Sequence, residues 1–383
     1  MIIPTGFGVV MHSILENLPQ ENYDIAGLAV NFRGDPHKYP YRIYPASSRG
    51  DIYGYNRVQE VCEVEKPELI FLLNDAWILD NYLNEIKQVY EGKTLPKIVT
   101  YIPIDAKDHD PDWYKHFDIV DKVVVYTEFG KKVILEAAPQ LEDKLSIFPH
   151  GTDSSTFYKI DKPKNEIKKA LYGNNRPDLY EDSFIVLSCG RNQPRKRLDL
   201  LMYGFELFSK GKPENVKIYY HCGVVDMHLN IYKLAKRLNL TDRLVITNRN
   251  NGVQTVPAER LNLIYNATDV GVNTSVGEGW CLPTMEHAMT GAPQLIADHS
   301  ALHELYSDCG LFIPTTYDVT LDHIMTTGRV VRPEDVAEKL ETLYCDEGLR
   351  YSLSLRAMQK FGREEYSWKS ISGLWDKLFT DLV

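Results

Sequence analysis

Residues 274–286 read TSVGEGWCLPTME and follow the short apolar run 270–273. Two glutamates, Glu278 and Glu286, stand eight positions apart, and Pro283 lies between them. Proline fits the first turn of a helix because its missing N–H would have no partner there. The pattern predicts a buried strand, a glycine-flanked loop that carries Glu278, and a helix that holds Glu286 about one turn inside.

The start of this helix predicts an anion site, because backbone N–H groups at a helix N-terminus attract negative charge. The groups concerned belong to Gly279, Trp280, Cys281 and Leu282. We expect them to point at a phosphate. Glu278 is then placed to accept hydrogen bonds from sugar hydroxyls, and Glu286 from ribose hydroxyls.

A cationic segment, residues 188–197 with the sequence SCGRNQPRKR, overlaps the end of another apolar run. It would lie at the carboxyl end of a strand, where ligands bind in open α/β sheets. A guanidinium donates to two phosphate oxygens at once, and an ammonium adds a compact charge. Arg191 and Lys196, beside Gly190, are therefore candidates for clamping a diphosphate. The alternative is a solvated basic turn that caps the next helix at Asp199.

Near the start of the chain, Gly6 and Gly8 precede a helical pattern over about residues 9–18. A glycine turn before a helix delivers backbone N–H groups to one point and binds anions. Both glycines are therefore candidate phosphate contacts. A plain turn from strand to helix is the alternative.

Length and hydrophobic patterning predict two α/β domains. A chain of 383 residues exceeds the size of a single hydrophobic core, and its 44% hydrophobic content can supply two. Short apolar runs alternate with helical segments, as in parallel sheets covered by helices on both faces. The predicted strands are 23–30, 69–73, 97–103, 120–126 and 145–148, then 184–189, 216–222, 243–248, 270–273 and 293–297. We expect doubly wound sheets in domains 1–158 and 159–367.

Net charge and cysteine content indicate which partners and structural sites to expect. The formal net charge is -10, from 53 acidic and 43 basic residues, which argues against a surface built for nucleic acid. The six cysteines contain no CxxC pair, so neither a disulfide framework nor a zinc cluster is predicted. The sequence shows no apolar run of about 18 residues and no basic leader. We expect a soluble cytoplasmic protein with a glycan or small-molecule acceptor.

The motifs together resemble glycosyltransferase family four, the retaining enzymes of the GT-B type. The resemblance is carried by Glu278 and Glu286, by Gly190-Arg191 with Lys196, and by the early Gly6-Phe7-Gly8. Residues 148–157, FPHGTDSSTF, are similar to the interdomain segment of the family. The run that follows Arg191 is most similar to glycosyltransferases of large DNA viruses and phages.

The resemblance implies two Rossmann-like domains that face each other across a cleft, with a helix over about 368–383 packing back on the first domain. It implies a retaining, metal-independent hexosyltransferase that needs no cofactor. The donor is a nucleotide diphosphate sugar, with UDP-glucose and GDP-mannose both compatible and the viral likeness favouring GDP-mannose. The family usually recognises the base with residues 247–249, which include Asn248.

Residue roles follow from the same resemblance. Arg191 and Lys196 would contact the donor diphosphate, Glu278 the transferred sugar, and Glu286 the ribose. Many relatives have a histidine at the end of a first-domain strand, where this chain has Asp105. Asp105 is therefore a candidate for orienting the acceptor or accepting its proton, and capping of the next segment is the alternative.

Two other functions and one other site stay open. A catalytically silent protein that binds nucleotide sugar would keep the same motifs, and so would a phage-type transferase acting on modified DNA bases. Residues 108–110, Asp-His-Asp, form a sequence pattern whose carboxylate ligands suit Mg²⁺ or Mn²⁺. Acidic triplets also arise by chance in polar loops, so no metal is predicted.

Overall fold

The computed structural model describes residues 5–48, 50–247, 249–252, 255–321 and 324–383. The chain divides into two compact units, Met1–Gly151 with Glu364–Val383, and Thr152–Arg363. The divisions lie a few residues before the predicted ones at 158 and 367. Within the part of the chain that the structure describes, no helix is long and apolar enough to cross a membrane.

The first unit alternates parallel strands with helices. β1 pairs with β2, and β3, β4, β5 and β6 lie side by side in that order. The elements are α1 (Gly6–Glu16), β1 (Ala26–Ala29), β2 (Arg42–Pro45), α2 (Val58–Glu65), β3 (Leu69–Leu73), α3 (Ala76–Val89), β4 (Lys97–Ile102), β5 (Lys122–Val125), α4 (Glu128–Ala137) and β6 (Leu145–Ile147).

The second unit contains a parallel sheet in the order β12-β11-β10-β7-β8-β9 and a separate antiparallel hairpin of β13 and β14. Its elements are α5 (Lys164–Tyr172), β7 (Phe184–Cys189), α6 (Leu198–Ser209), β8 (Val216–His221), α7 (Ile231–Arg237), β9 (Leu244–Ile246), α8 (Ala258–Asn266), β10 (Val270–Asn273), α9 (Leu282–Met289), β11 (Gln294–Ala297), α10 (Ser300–Tyr306), β12 (Gly310–Ile313), β13 (Thr315–Thr320), β14 (Thr327–Val331), α11 (Pro333–Cys345) and α12 (Glu347–Phe361).

The last helix, α13 (Trp368–Leu382), belongs to the first unit. Its buried side chains include Ile371, Trp375 and Phe379, which recur every four positions and so share one face. The fully buried Trp375 ring lies 4.6 Å from the Phe71 ring on β3, centroid to centroid. The apolar face of α13 therefore completes the core over the sheet of the first unit.

The sheet of the second unit is covered by apolar side chains on both faces. Val186 on β7 and Ile218 on β8 belong to one core cluster. Ile185 and Leu187, the neighbours of Val186 on β7, belong to the other. Strands buried on both faces need continuous apolar runs instead of alternation. This explains why the sequence of β7 identifies it correctly, residue for residue.

Three predicted strands coincide with β3, β7 and β10, and the others are shorter than predicted. The sequence pattern missed β2, β12 and the β13–β14 hairpin. The strand β13 carries exposed residues such as Tyr317, so it contains no apolar run that would reveal it. Helix α1 also begins at Gly6, earlier than predicted, because Thr5 caps it.

Two helical glycines are expected to respond oppositely to alanine. A Cβ at Gly204 on α6 would lie 2.6 Å from the Val336 side chain of α11, so we expect Gly204→Ala to destabilise the protein by about 1–3 kcal/mol through overpacking. The exposed Gly373 on α13 has no neighbour within 4 Å of that position. Gly373→Ala should therefore stabilise the protein by up to about 1 kcal/mol through helix propensity. Equilibrium urea unfolding measures both, and equal shifts would contradict the packing assignment.

Candidate active site

A cavity opens at the carboxyl ends of β7 and β10 in the second unit. Among the residues that line it are Gly190, Arg191, Lys196, Asn273, Ser275 and Thr284. The cationic segment after β7 and the segment after β10 therefore meet at one edge of the sheet, as open α/β sheets bring ligand-binding loops together.

Glu278 lies at the centre of the contacts between these two segments and is 3% exposed. Its carboxylate accepts hydrogen bonds from the Lys196 ammonium, from Arg195 Nη1 at 3.1 Å and from Ser275 Oγ at 2.6 Å. Asn273 Nδ2 also donates to it, at 3.2 Å. A buried carboxylate needs such partners because burial without them is very costly.

These partners set the ionisation of Glu278. Burial on its own would raise the pKa of this carboxyl, but the charges of Lys196 and Arg195 oppose burial and hold the pKa well below its ordinary value of 4.5. Glu278 is therefore a carboxylate at neutral pH, able to accept hydrogen bonds from hydroxyl groups.

The backbone around Glu278 is fixed from two sides. Its N–H donates to Ser300 Oγ at 3.2 Å, at the start of α10. Val276 donates its N–H to the Arg195 carbonyl at 2.8 Å, and its own carbonyl accepts from the N–H of Arg329 on β14 at 3.0 Å. The hairpin that the sequence pattern missed thus holds the loop that carries Glu278.

Helix α9 begins at Leu282 beside this loop, as predicted from Pro283. The preceding residue, Cys281, has a φ of +68°, a left-handed conformation that costs a residue with a side chain about 1–2 kcal/mol. Asn273 Nδ2 and Thr284 Oγ1 hydrogen-bond to Cys281 Sγ at 3.2 and 3.1 Å and help to hold it there. Pro283 has no N–H, and the N–H groups of Thr284 and Met285 donate to the Cys281 carbonyl at 3.1 and 3.3 Å. The predicted Gly279 and Trp280 are buried in the same loop.

Glu286 lies on α9 and accepts a hydrogen bond from the Tyr265 hydroxyl at 2.9 Å. Burial raises the pKa of Glu286 to about 7; the Tyr265 hydrogen bond opposes this shift, and the charge of Asp153 adds to it. The pKa values of the two glutamates of the motif are therefore shifted in opposite directions. Glu278 is ionised, whereas the pKa of Glu286 is raised towards neutral pH.

All four cations of the segment after β7 are paired with carboxylates. Arg191 forms a bidentate pair with Asp226, in the segment after β8. Arg197 pairs in the same way with Asp199. Arg197 thus supports the start of α6, as the capping alternative expects, while Lys196 lines the cavity. The diphosphate clamp stays a prediction. Arg197 also has a φ of +47°, the conformation that glycine adopts most easily.

Gly190 and Asn248 were also predicted to contact the donor. Gly190 has a φ of +148° and its N–H donates to the His221 carbonyl at 3.2 Å, so a residue with a side chain would be strained there. Asn248 lies outside the described residues.

Gly6, Gly8 and Asp105 belong to the first unit. Both glycines lie inside the first turn of α1 instead of in a turn before it, and the Gly8 N–H donates to Thr5 Oγ1 at 3.3 Å. Asp105 follows β4 and is partly buried. Burial lowers the pKa of the nearby His109 to about 4, and the charge of Asp105 opposes this shift.

In the sequence Asp-His-Asp at 108–110, the side chains of His109 and Asp110 form local hydrogen bonds. Asp110 caps the short helix that follows it by accepting from the Asp112 N–H at 2.9 Å. His109 Nδ1 shares a hydrogen bond of 2.8 Å with the Tyr114 hydroxyl. Across the described ranges, no group of three or more His, Cys, Asp or Glu residues is placed to hold a metal ion.

Several polar residues of the site, Arg195, Ser275 and Asp226 among them, were not singled out by the sequence analysis. Arg195 and Ser275 contact Glu278, and Asp226 pairs with Arg191. Arg195 and Ser275 stand within the quoted motifs, so their sequence position was a usable signal. Asp226 carried no such signal, because it follows a different strand.

Comparisons with known proteins agree with this architecture. No protein-family model matches the chain. The structure is similar to sucrose-phosphate synthase from Thermosynechococcus elongatus, with a TM-score of 0.74, 16% identity, and coverage of 99% of this chain and 94% of that one. It is also similar to HepE from Anabaena in complex with UDP and glucose, with a TM-score of 0.72, 14% identity, and coverage of 99% and 97%.

The fold is GT-B. The expected α/β class with two Rossmann-like domains is thereby confirmed. In sequence, the chain is 25% identical over 203 residues to mannosylfructose-phosphate synthase from Agrobacterium fabrum. The match spans 49% of this chain and 42% of that relative, so less than half of the relative is represented.

Neutralising Glu278 is expected to destabilise the GT-B protein. Glu278→Gln keeps the shape of the side chain but leaves Lys196 and Arg195 without their carboxylate, at a cost of about 3 kcal/mol. Because the folded pKa is depressed, the contribution of Glu278 is fully present above its ordinary pKa of 4.5 and is lost as the pH falls towards the folded value. Urea unfolding at pH 7 and at pH 3.5 to 4 should therefore show a smaller difference between variant and wild type in acid. An equal difference at both pH values would contradict the ion-pair assignment.

Proposed function

We propose that this protein is a retaining, metal-independent glycosyltransferase that moves a hexose from a nucleotide diphosphate sugar to an acceptor hydroxyl. The observation that carries the proposal is the buried, ionised Glu278, held by Lys196 and Arg195 beside the N-terminus of α9. This combination offers hydrogen-bond acceptance to sugar hydroxyls and positive potential to a diphosphate within one site. The GT-B fold and the spacing of Glu278 and Glu286 typical of family four support it.

The donor is proposed to bind with its diphosphate at Lys196, Arg191 and the first turn of α9. These groups carry positive charge, so they stabilise the charge that develops on the leaving diphosphate. Glu278 accepts hydrogen bonds from the transferred sugar. Glu286, whose pKa burial raises, contacts the ribose, and residues 247–249 recognise the base.

Transfer is proposed to occur on one face of the sugar. The bond between the anomeric carbon and the diphosphate oxygen breaks, and the acceptor oxygen bonds to the same carbon from the same side. The acceptor proton passes to an oxygen of the departing diphosphate, so that charge and atoms balance. Asp105 of the first unit is proposed to orient the acceptor hydroxyl, which belongs to a glycan or another small molecule.

UDP-glucose is the first donor to test. HepE from Anabaena, whose fold this chain shares, was solved in complex with UDP and glucose and with UDP-glucose. GDP-mannose is the second donor, because the name of the Agrobacterium relative includes a mannosyl group and the cationic segment resembles viral enzymes. The two donors differ in both base and sugar, so binding of the free nucleotides separates the contribution of the base from that of the sugar.

Nucleotide binding is expected to raise the melting temperature of the protein. A ligand that binds only the folded state adds about 2.7 kcal/mol of stability at 100 times its Kd. Thermal shift with UDP, GDP and ADP, each with EDTA and with Mn²⁺, measures this directly. Stabilisation by one diphosphate in EDTA supports the proposal, and stabilisation by none would overturn it. Donor turnover then separates an enzyme from a silent binding protein.

Lys196 is expected to be needed for transfer. Lys196→Ala should lower kcat by about 100-fold or more, as does loss of one group that stabilises developing negative charge. Lys212→Ala is the matched control, because the Lys212 side chain is also 15% exposed and ion-paired, but with Glu341 and outside the cavity lining. Release of nucleotide diphosphate from the donor measures both. Equal activity of the two variants would contradict the role of Lys196.

A further inference from the structure

The pair formed by Arg191 and Asp226 uses only one side of the guanidinium. Nε and Nη2 donate to the two carboxylate oxygens at 3.0 and 2.9 Å. A guanidinium has five N–H donors, so both donors of Nη1 and one of Nη2 remain for another acceptor. The Asp226 side chain is 9% exposed and that of Arg191 is 38% exposed. The carboxylate is therefore enclosed behind the arginine, while the other side of the guanidinium stays accessible.

The segment that carries Asp226 is fixed by the fully buried Asn192. Asn192 Nδ2 donates to the carbonyls of Gly223 at 3.1 Å and Leu229 at 2.7 Å. The backbone carbonyl of Asn192 accepts a hydrogen bond from the Met227 N–H at 3.1 Å. These bonds hold residues on both sides of Asp226, so its carboxylate is a fixed anchor for the arginine.

We propose that Asp226 is a positioning residue that orients Arg191 so that its Nη1 and Nη2 donors meet the diphosphate of the donor. The proposal rests on the proposed function, and it adds a residue that the motif does not contain. Asp226 holds the Nε side, whereas a phosphate can take the fork between Nη1 and Nη2, so the two acceptors do not compete. A long arginine side chain fixed before binding loses less freedom when the ligand arrives.

The charge of Asp226 has an opposing effect on a diphosphate. A carboxylate behind the guanidinium lowers the local positive potential. Exposure of Arg191 screens this repulsion by solvent, while the hydrogen-bond geometry that orients the guanidinium is kept. We therefore expect loss of Asp226 to weaken diphosphate binding. A purely electrostatic account predicts that loss of Asp226 strengthens diphosphate binding.

Calorimetric titration of UDP, with GDP in parallel, tests the proposal in the full-length protein. The proteins are wild type, Asp226→Ala, Arg191→Ala and the double variant. Asp226→Ala should raise Kd about tenfold, within the range of couplings between residues in contact. In the Arg191→Ala background it should change Kd little, because its route to the ligand is gone. Asp335→Ala is the control, since Asp335 also forms a bidentate pair, with Arg332, and its side chain is 11% exposed.

The outcomes separate this proposal from the proposed function. If wild type binds neither nucleotide, the proposed function fails and this inference fails with it. If wild type binds but Asp226→Ala binds as tightly or more tightly, or if the two substitutions add fully, positioning by Asp226 is overturned and the proposed function stands. Should Asp226→Ala not fold, Asp226→Asn keeps the shape and one acceptor oxygen. Its Kd should then lie above that of wild type, and an unchanged Kd would overturn the proposal.

Discussion

Burial of the Glu278 carboxylate is the constraint around which the second unit arranges its polar residues. An ionised carboxylate that is 3% exposed is stable only with cations and hydrogen-bond donors around it. Lys196 and Arg195 supply the charges, and Ser275 and Asn273 supply neutral donors. Satisfying this single group brings the segment after β7 against the segment after β10, and the cavity lies where they meet.

The same constraint shapes the electrostatics of the site. In sequence, the segment after β7 carries a high density of positive charge, yet in the structure three carboxylates pair with its four cations. Paired cations are held in place before a ligand arrives, so less side-chain freedom is lost on binding. An anionic ligand would then add to existing ion pairs through the donors that these pairs leave unused, with the N-terminus of α9 contributing further positive potential.

Elements outside the motifs hold the geometry of the loop that carries Glu278. The β13–β14 hairpin binds the backbone of Val276, and Ser300 at the start of α10 binds that of Glu278. Gly328 on β14 approaches the Val276 carbonyl so closely that an added Cβ would lie 2.3 Å from it. This part of the site thus depends on packing between a loop and a strand that are far apart in the chain.

The sequence alone determined the features that depend on neighbours along the chain. Continuous apolar runs identified β7 and β10, and Pro283 located the first turn of α9, because periodicity and helix starts are local properties. The spacing of Glu278 and Glu286 likewise needed only the chain itself. Tertiary structure decided which charges pair. Arg195 pairs with Glu278, 83 positions further along the chain, and Arg191 pairs with Asp226, 35 positions further along. The order of the strands in the sheet determines these partners, because it brings the carboxyl ends of the strands to one edge.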